Sequence, residues 1–252
     1  MPEFQIRDQA LQEDADFILE AFDATLPHLA SIGSGSQWGS EPRSTNEQHI
    51  KKIREAIEKA RSGTSDNNAV FIAELPINTN DDLDPAVAAA GRTRKAEDNQ
   101  QMLQVGAAAV QGSFPAYVAE QENLEEYVRA AVERADYLYL FVLVSDFRVG
   151  ALRKGVGAAL ARRVREYAGE KGKKAVYLDC WAGNGERLVG YVFQMLHIYV
   201  VFVQRVGLIL DRFYKSQGYV PVDDFHIKKE DGTVWHGKLL RMDVEEYTSR
   251  EG

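Results

Sequence analysis

Cysteine is the scarcest residue type in the sequence, and its scarcity excludes two kinds of stabilising site. Cys180 is the only cysteine among 252 residues, so no intramolecular disulfide can form. The usual cysteine-rich zinc patterns are absent as well, and we expect no metal site. With 45% hydrophobic and 27% charged residues, the chain has the composition of a globular protein, and we predict a single domain over residues 1–252.

Positively charged residues are outnumbered, with 30 Lys and Arg against 38 Asp and Glu. The net charge of −8 argues against a surface that binds nucleic acid, and it favours cationic partners such as amines. The N-terminal residues are charged throughout, unlike a secretory signal. We therefore expect an intracellular, cytoplasmic protein that does not associate with membranes.

A glycine-containing turn between a strand and a helix is the main candidate site. The run YLYLFVLV, from Tyr137 to Val144, predicts a strand buried on both faces. After the turn, apolar residues with helical spacing predict an amphipathic helix: Val156, Leu160, Val164 and Tyr167. The first N–H groups of such a helix are unpaired and carry about half a positive charge, so they could bind a phosphate.

The turn itself allows two interpretations. Gly155 and Gly157 would let a phosphate approach the backbone closely, and Arg153 and Lys154 would add positive charge. The sequence is neither a P-loop nor a complete GxGxxG motif. A tight turn without a ligand is therefore the alternative.

The order of the segments in this half of the chain resembles the acyl-CoA-binding half of the GNAT N-acetyltransferases. The apolar strand, RKGVGAAL, the helix, the strand AVYLDCW, Asn184 and the segment FYKSQGY follow one another as in that family. The resemblance implies an α/β fold, with a mixed, twisted sheet of six to seven strands flanked by helices. The chain departs from the family pattern at Leu152, where Gln or Arg is usual.

The resemblance also implies a function, which is the direct transfer of an acetyl group from acetyl-CoA to an amine. The acceptor would be an amine-bearing small molecule, a protein or a peptide. Tyr214 would protonate the leaving thiolate. The implied cofactor contacts come from the central strand, the glycine turn and the next strand end: Leu143, Val144, Ser145, Arg153, Lys154, Gly155, Val156, Gly157, Ala158 and Asn184. A non-catalytic acyl-CoA-binding or interaction protein is the alternative.

Two features of the acceptor side stay open. The general base could be Glu74, Glu120 or Asp146, but no spacing selects among them, and each is also typical of a solvated surface carboxylate. Trp38, the one large aromatic residue of a Gly- and Ser-rich loop, could cover the core or form a wall of the acceptor pocket.

Elsewhere the sequence predicts regular elements and one long connection. Ser44 and Glu47 form a possible capping box before an apolar stripe of isoleucines. Residues 77–101 are polar and are predicted to form a surface loop, disordered in part. The other predicted strands are Phe4–Arg7, Asn68–Leu75, Met102–Gln111, Ala175–Trp181, one beginning at Tyr219–Val222, and Trp235–Val244.

The hydrophobic segment from Gly190 to Asp211 interrupts the region that resembles the family. It could be a transmembrane span, but Gln194, His197 and Arg205 would be costly in lipid. It could be an evolved insertion that forms a buried or partner-binding helix or hairpin. We favour a third interpretation, a retained intron translated in frame, which would make this chain a poorly folding or inactive isoform.

The intron hypothesis predicts particular codons. Gly190, Tyr191 and Val192 can be encoded with the donor sequence GTATGT, and Asp211 and Arg212 with the acceptor YAG. We expect a second, spliced transcript that encodes GERLVGFYKSQGY. Sequencing the gene and its transcripts checks this, and codons that cannot supply GT and AG at these points would contradict it.

Overall fold

The computed structural model describes residues 3–63, 67–77, 83–182, 214–229 and 232–244. The helices are α1 Asp14–Ser31, α2 Glu47–Ser62, α3 Pro85–Ala90, α4 Ala116–Ala119, α5 Glu125–Arg134 and α6 Val156–Glu170. The strands are β1 Gln5–Arg7, β2 Ala69–Ile77, β3 Thr93–Lys95, β4 Gln101–Gln111, β5 Tyr137–Ser145, β6 Ala175–Trp181, β7 Tyr219–Lys228 and β8 Val234–Asp243. Short 3-10 segments lie at Arg43–Thr45, Glu122–Leu124 and Phe147–Arg153.

The strands form one mixed sheet in the order β1-β2-β4-β5-β6-β8-β7, and β3 pairs with β4 beside this path. Strands β5 and β6 are parallel, because the connection between them runs through α6. The other neighbouring strands in the described residues are antiparallel. The predicted mixed α/β sheet flanked by helices is therefore confirmed.

Helices cover both faces of the sheet. The apolar stripe of α6 packs on one face, where Val156, Leu160 and Val164 are fully buried, as the spacing predicts. On the opposite face, α1 and α2 cover the β2–β4–β5 side with Phe17 and Ile53. The α4–α5 region covers the β6–β8 side of that face through a separate apolar cluster.

Gly106 on β4 sets how closely α6 approaches the sheet. A Cβ atom at this position would lie 2.8 Å from the Val144 carbonyl oxygen and 3.1 Å from Cγ2 of Val156. Because Val156 is the first residue of α6, only glycine lets the start of the helix lie against β4 and β5. The small residues of β4 therefore allow the close backbone packing that the sequence predicts.

The predicted capping box before α2 is wrong. Asn46 is the N-cap, and its Oδ1 accepts hydrogen bonds from the backbone N–H groups of Gln48 and His49, both at 3.1 Å. The 3-10 turn at Arg43–Thr45 holds Ser44 upstream of the cap. Glu47 becomes the first helical residue, since Asn46 has the extended backbone that an N-cap requires.

The described part of the segment 77–101, residue 77 and residues 83–101, contains regular elements that a polar surface loop would lack. It contains α3, which begins after an Asp84 N-cap, and β3, which pairs with β4. Its arginines form long-range ion pairs, Arg92 with Glu20 at 2.6 Å and Arg94 with Glu74 at 2.6 Å. Partners this distant in sequence could not be seen in the local pattern.

Gly190–Asp211 lies outside the described residues, so its interpretations stay predictions. Within the described ranges, no helix combines the length and the apolar character that a bilayer crossing requires.

A buried carboxylate fastens the N-terminal strand to the sheet. Asp14 has no exposed surface, and it accepts hydrogen bonds from Arg7 Nη2 at 2.7 Å and from Gln104 Nε2 at 3.1 Å. It also accepts a hydrogen bond from the backbone N–H of Leu11 at 2.6 Å. One side chain therefore connects β1, the start of α1 and β4.

We expect D14A to lower the free energy of unfolding by about 3–5 kcal/mol, because Arg7 keeps only Glu74 as an ion-pair partner and the buried donors of Leu11 and Gln104 lose their acceptor. Urea unfolding of the full chain measures the change. D16A is the matched control, since Asp16 is half-exposed and meets Arg54 only at 3.9 Å, so its removal should cost less than about 1 kcal/mol. Equal losses in the two variants would contradict the assignment.

Candidate active site

The parallel strands β5 and β6 separate along their length. They pair only from Tyr137 opposite Ala175 to Tyr139 opposite Tyr177. Beyond these residues β5 stays paired with β4 as far as Ser145, and β6 stays paired with β8 as far as Trp181. A gap therefore opens between the carboxyl-terminal halves of β5 and β6.

The gap leaves backbone hydrogen-bonding groups of β5 available. In an antiparallel strand, successive residues direct their N–H and C=O groups alternately toward the partner and away from it. Along residues 140–145, the groups that point away from β4 therefore face the gap. A bulge at Phe141, where the register with β4 shifts between Ala109 and Val110, changes this alternation locally.

A cavity of ≈ 570 Å³ lies at this gap, a size that suits a small-molecule site. It is lined from both faces of the sheet: Leu178 and Cys180 belong to the α6 face, whereas Asp179 lies between them on the opposite side of β6. The walls on the α1–α2 side include Phe22, Trp38 and Trp235. Trp38 is therefore a cavity wall, and it also packs edge-on against Phe22 at 4.8 Å between ring centroids.

The glycine turn follows β5 through the 3-10 segment Phe147–Arg153, and the start of α6 lies beside Gly106 and Val144, although none of the described cavity-lining residues belongs to the turn. Gly155 has a φ of 91°, a conformation suited to glycine, and it is the N-cap of α6 without a side-chain hydrogen bond. No acidic residue stands in the first turn of α6. The guanidinium carbon of Arg153 lies 3.6 Å from the centroid of the Phe147 ring. Lys154 is exposed.

The predicted cofactor residues fall into three groups. Arg153 to Ala158 are contiguous at the start of α6, and Leu143 to Ser145 lie on the part of β5 that borders the gap. Leu143 lines the cavity, whereas the Val144 side chain packs in the core under α1 and α2. Asn184 lies outside the described residues.

Tyr214 lines the cavity on the α6 face of the sheet, and Cys180 lies on the same side. Burial raises the pKa of Tyr214, and the neighbouring Cys180 thiol adds to the shift, so the phenol stays protonated at neutral pH. Its ring also packs edge-on against Tyr219, with 5.7 Å between centroids.

Asp179 is a partly buried carboxylate on the cavity wall that the sequence did not single out. Its Oδ1 accepts a hydrogen bond from Tyr117 Oη at 2.9 Å and another from the hydroxyl of Tyr139. Burial raises its pKa, although both tyrosine hydrogen bonds act in the opposite direction. The signal was a carboxylate inside the apolar strand AVYLDCW, where every other side chain can pack in a core.

The three carboxylates considered as general bases do not line the cavity. Glu74 is 1% exposed and pairs with Arg7 and Arg94, and Asp146 is fully buried and pairs with Arg148. Both are buried structural partners, and the interpretation as solvated surface groups is wrong for them. Glu120 is exposed after α4.

The sequence matches no family model and no curated protein. The fold, however, matches solved structures. An acetyltransferase assigned in Salmonella typhimurium, crystallised with its cofactor acetyl-CoA, aligns with a TM-score of 0.51 at 11% identity, over 97% of this chain and 95% of that one. An N-acetyltransferase from Staphylococcus aureus aligns with a TM-score of 0.51 at 12% identity, over 96% of this chain and 99% of that one. The chain has the fold of the GNAT acetyltransferases.

A Desulfovibrio desulfuricans protein assigned to the GNAT family aligns at 12% identity and a TM-score of 0.47, over 96% of this chain and 99% of that one. The mixed sheet of six to seven strands that the resemblance implied has seven strands in its main order among the described residues, with β3 as an additional short strand.

The raised pKa of Asp179 predicts a pH-dependent stability. In the unfolded chain the carboxyl loses its proton near pH 4, whereas in the folded chain it keeps the proton to higher pH. The free energy of unfolding of the wild type should therefore fall, relative to that of D179N, as pH rises from about 4 through the folded pKa. Urea unfolding of both proteins from pH 4 to 8 measures this difference, and parallel curves would contradict it.

Proposed function

We propose that this protein is an acetyl-CoA-dependent N-acetyltransferase that acts on an amine. The observation that carries the proposal is the cavity at the β5–β6 gap. A protonated phenol, Tyr214, lines it on one face of the sheet, and a partly buried carboxylate, Asp179, lines it on the other. Transfer of an acetyl group to an amine needs a proton acceptor near the amine and a proton donor near the leaving sulfur.

The residues of the gap and the glycine turn fit acetyl-CoA. The first turn of α6 offers backbone N–H groups without a capping side chain or a competing carboxylate, which suits the pyrophosphate. The backbone groups of β5 at Leu143 to Ser145 would hold the arm that extends into the gap, and Asn184 is the further contact that the resemblance implies. When bound, acetyl-CoA supplies the acetyl group as a thioester.

Two side chains of the cavity would move protons. Asp179 can accept a proton from the acceptor nitrogen at Oδ2, because its Oδ1 already accepts hydrogen bonds from Tyr117 and Tyr139. Tyr214 Oη holds a proton that it can donate where negative charge develops. The β5 N–H groups that face the gap would stabilise an oxyanion.

We expect Y214F and D179N to lower kcat by about 100-fold, because each removes one proton-transfer group. The measurement is release of CoA thiol from acetyl-CoA with a panel of small amines and peptides. Y219F is the matched control for the tyrosine: it removes a buried hydroxyl that has no hydrogen-bond partner among the described residues, directly beside Tyr214.

Calorimetric titration separates this function from its alternative. Acetyl-CoA binding by the full chain, with no thiol release on any amine, would support a non-catalytic acyl-CoA-binding protein. Absence of binding by a folded chain would overturn the proposal.

A further inference from the structure

The acceptor side of the cavity carries more positive than negative charge. Arg43, Lys52 and Lys229 line it, and Asp179 is the one carboxylate among the described lining residues. Burial, with Arg43 and Lys52 nearby, lowers the pKa of His49 to about 4, so its ring is neutral at pH 7. This local excess stands in contrast to the net charge of −8 for the chain.

Arg43 is the most constrained of these cations. Its guanidinium carbon lies 5.8 Å from the centroid of the Phe22 ring and 5.8 Å from that of Trp38. It contacts the ring nitrogen of His49, and its Nε is buried without a hydrogen-bond partner in the described part of the chain. The guanidinium is therefore held in place, and its Nη2, rather than the enclosed Nε, gives it the capacity to bind a ligand.

The nearest acidic side chain does not use that capacity. Asp23 accepts hydrogen bonds from the backbone N–H groups of Arg43 and Ser44. Among the described residues, Arg43 has no carboxylate within ion-pair distance of its side chain. An anionic group of a ligand would supply the missing partner, since guanidinium groups bind carboxylates through two parallel hydrogen bonds.

The cavity also combines the chemical groups that a selective amine site needs. Lys52 Nζ lies 5.2 Å from the centroid of the Phe141 ring, at the gap, and Phe22, Trp38 and Trp235 add aromatic surface to the walls. Asp179 attracts an amine, Arg43 and Lys52 attract an anion, and the aromatic walls accept an apolar group. An amino acid with an apolar side chain carries these three groups on one carbon atom.

Resting on the proposed acetyltransfer, we propose that Arg43 and Lys52 form a carboxylate site and that the acceptor is a free amino acid with an apolar or aromatic side chain. The neutral α-amine forms the new N–C bond as the C–S bond of the thioester breaks. Asp179 takes one proton from the nitrogen and Tyr214 returns one to the sulfur. The products are the N-acetyl amino acid and CoA thiol.

Intrinsic fluorescence gives a binding test that does not need turnover, because all three tryptophans of the chain, Trp38, Trp181 and Trp235, line this cavity. The full chain is titrated with phenylalanine, phenylalaninamide and phenethylamine. We expect phenylalanine to bind at least about tenfold more tightly than the other two, because only it has the carboxylate. R43Q should abolish this preference and K52Q should reduce it.

R54Q and K51Q are matched controls, since both residues lie on α2, are exposed, and do not line the cavity. They should keep the preference. Equal affinity for the three ligands, no fluorescence change with any of them, or an equal loss for all three in R43Q would overturn the carboxylate site.

Thiol release distinguishes this inference from the proposed function. Faster acetylation of phenylalanine than of phenethylamine, lost in R43Q, supports both. Equal acetylation of the two amines leaves the acetyltransferase standing and overturns the carboxylate site. Arg43-dependent binding of phenylalanine without acetylation of any amine would overturn the proposed function, while the carboxylate site would stand.

Discussion

The early end of pairing between β5 and β6 is the constraint on which the rest of the structure depends. Each strand is held by an antiparallel neighbour on its other side beyond this point, β5 by β4 from Tyr139 to Ser145 and β6 by β8 from Ala175 to Trp181. The two halves of the sheet can therefore diverge after three parallel pairs without leaving either strand unsupported. Divergence opens the cavity, exposes backbone groups of β5, and lets side chains from both faces of the sheet reach one space.

The glycine turn is held against this gap by contacts that are distant in sequence. Gly106 lets the first residue of α6 lie against β4, next to the strand that borders the gap. The 3-10 segment before the turn is fixed by Arg148, which pairs with Asp146 at 2.8 Å and with Glu20 of α1 at 2.6 Å. Preorganisation of this kind would favour the pyrophosphate binding that is proposed for the turn.

Much of this architecture could be predicted from the sequence, because the periodicity of apolar residues and unbroken apolar runs are local signals. The apolar run Tyr137–Val144 predicted the central strand. The helical spacing of the apolar residues after the glycine turn predicted α6, and the order of the elements predicted the parallel connection. Local signals cannot show which charged residues meet. Glu74, Asp146 and Arg94 look like solvent-exposed groups until the sheet brings their partners together, and Asp179 looks like a polar interruption of β6 until Tyr117 and Tyr139 surround it.

The cap at Asn46 was missed for a different reason, since Ser44 and Asn46 are both good N-cap residues and only the 3-10 turn decides between them.

Four arginines of the described residues differ in how their charges are balanced by carboxylates. Arg7, Arg94 and Arg148 are each saturated by buried or half-buried carboxylates, so their charges are compensated within the fold. Arg43 packs beside the Phe22 and Trp38 rings and forms no ion pair with the described residues, although Asp23 offsets part of the effect by which burial lowers its pKa. Leaving a partly buried charge without an ion-pair partner destabilises a folded chain. The proposed carboxylate site would account for this arrangement, because the missing negative charge would then arrive with the ligand.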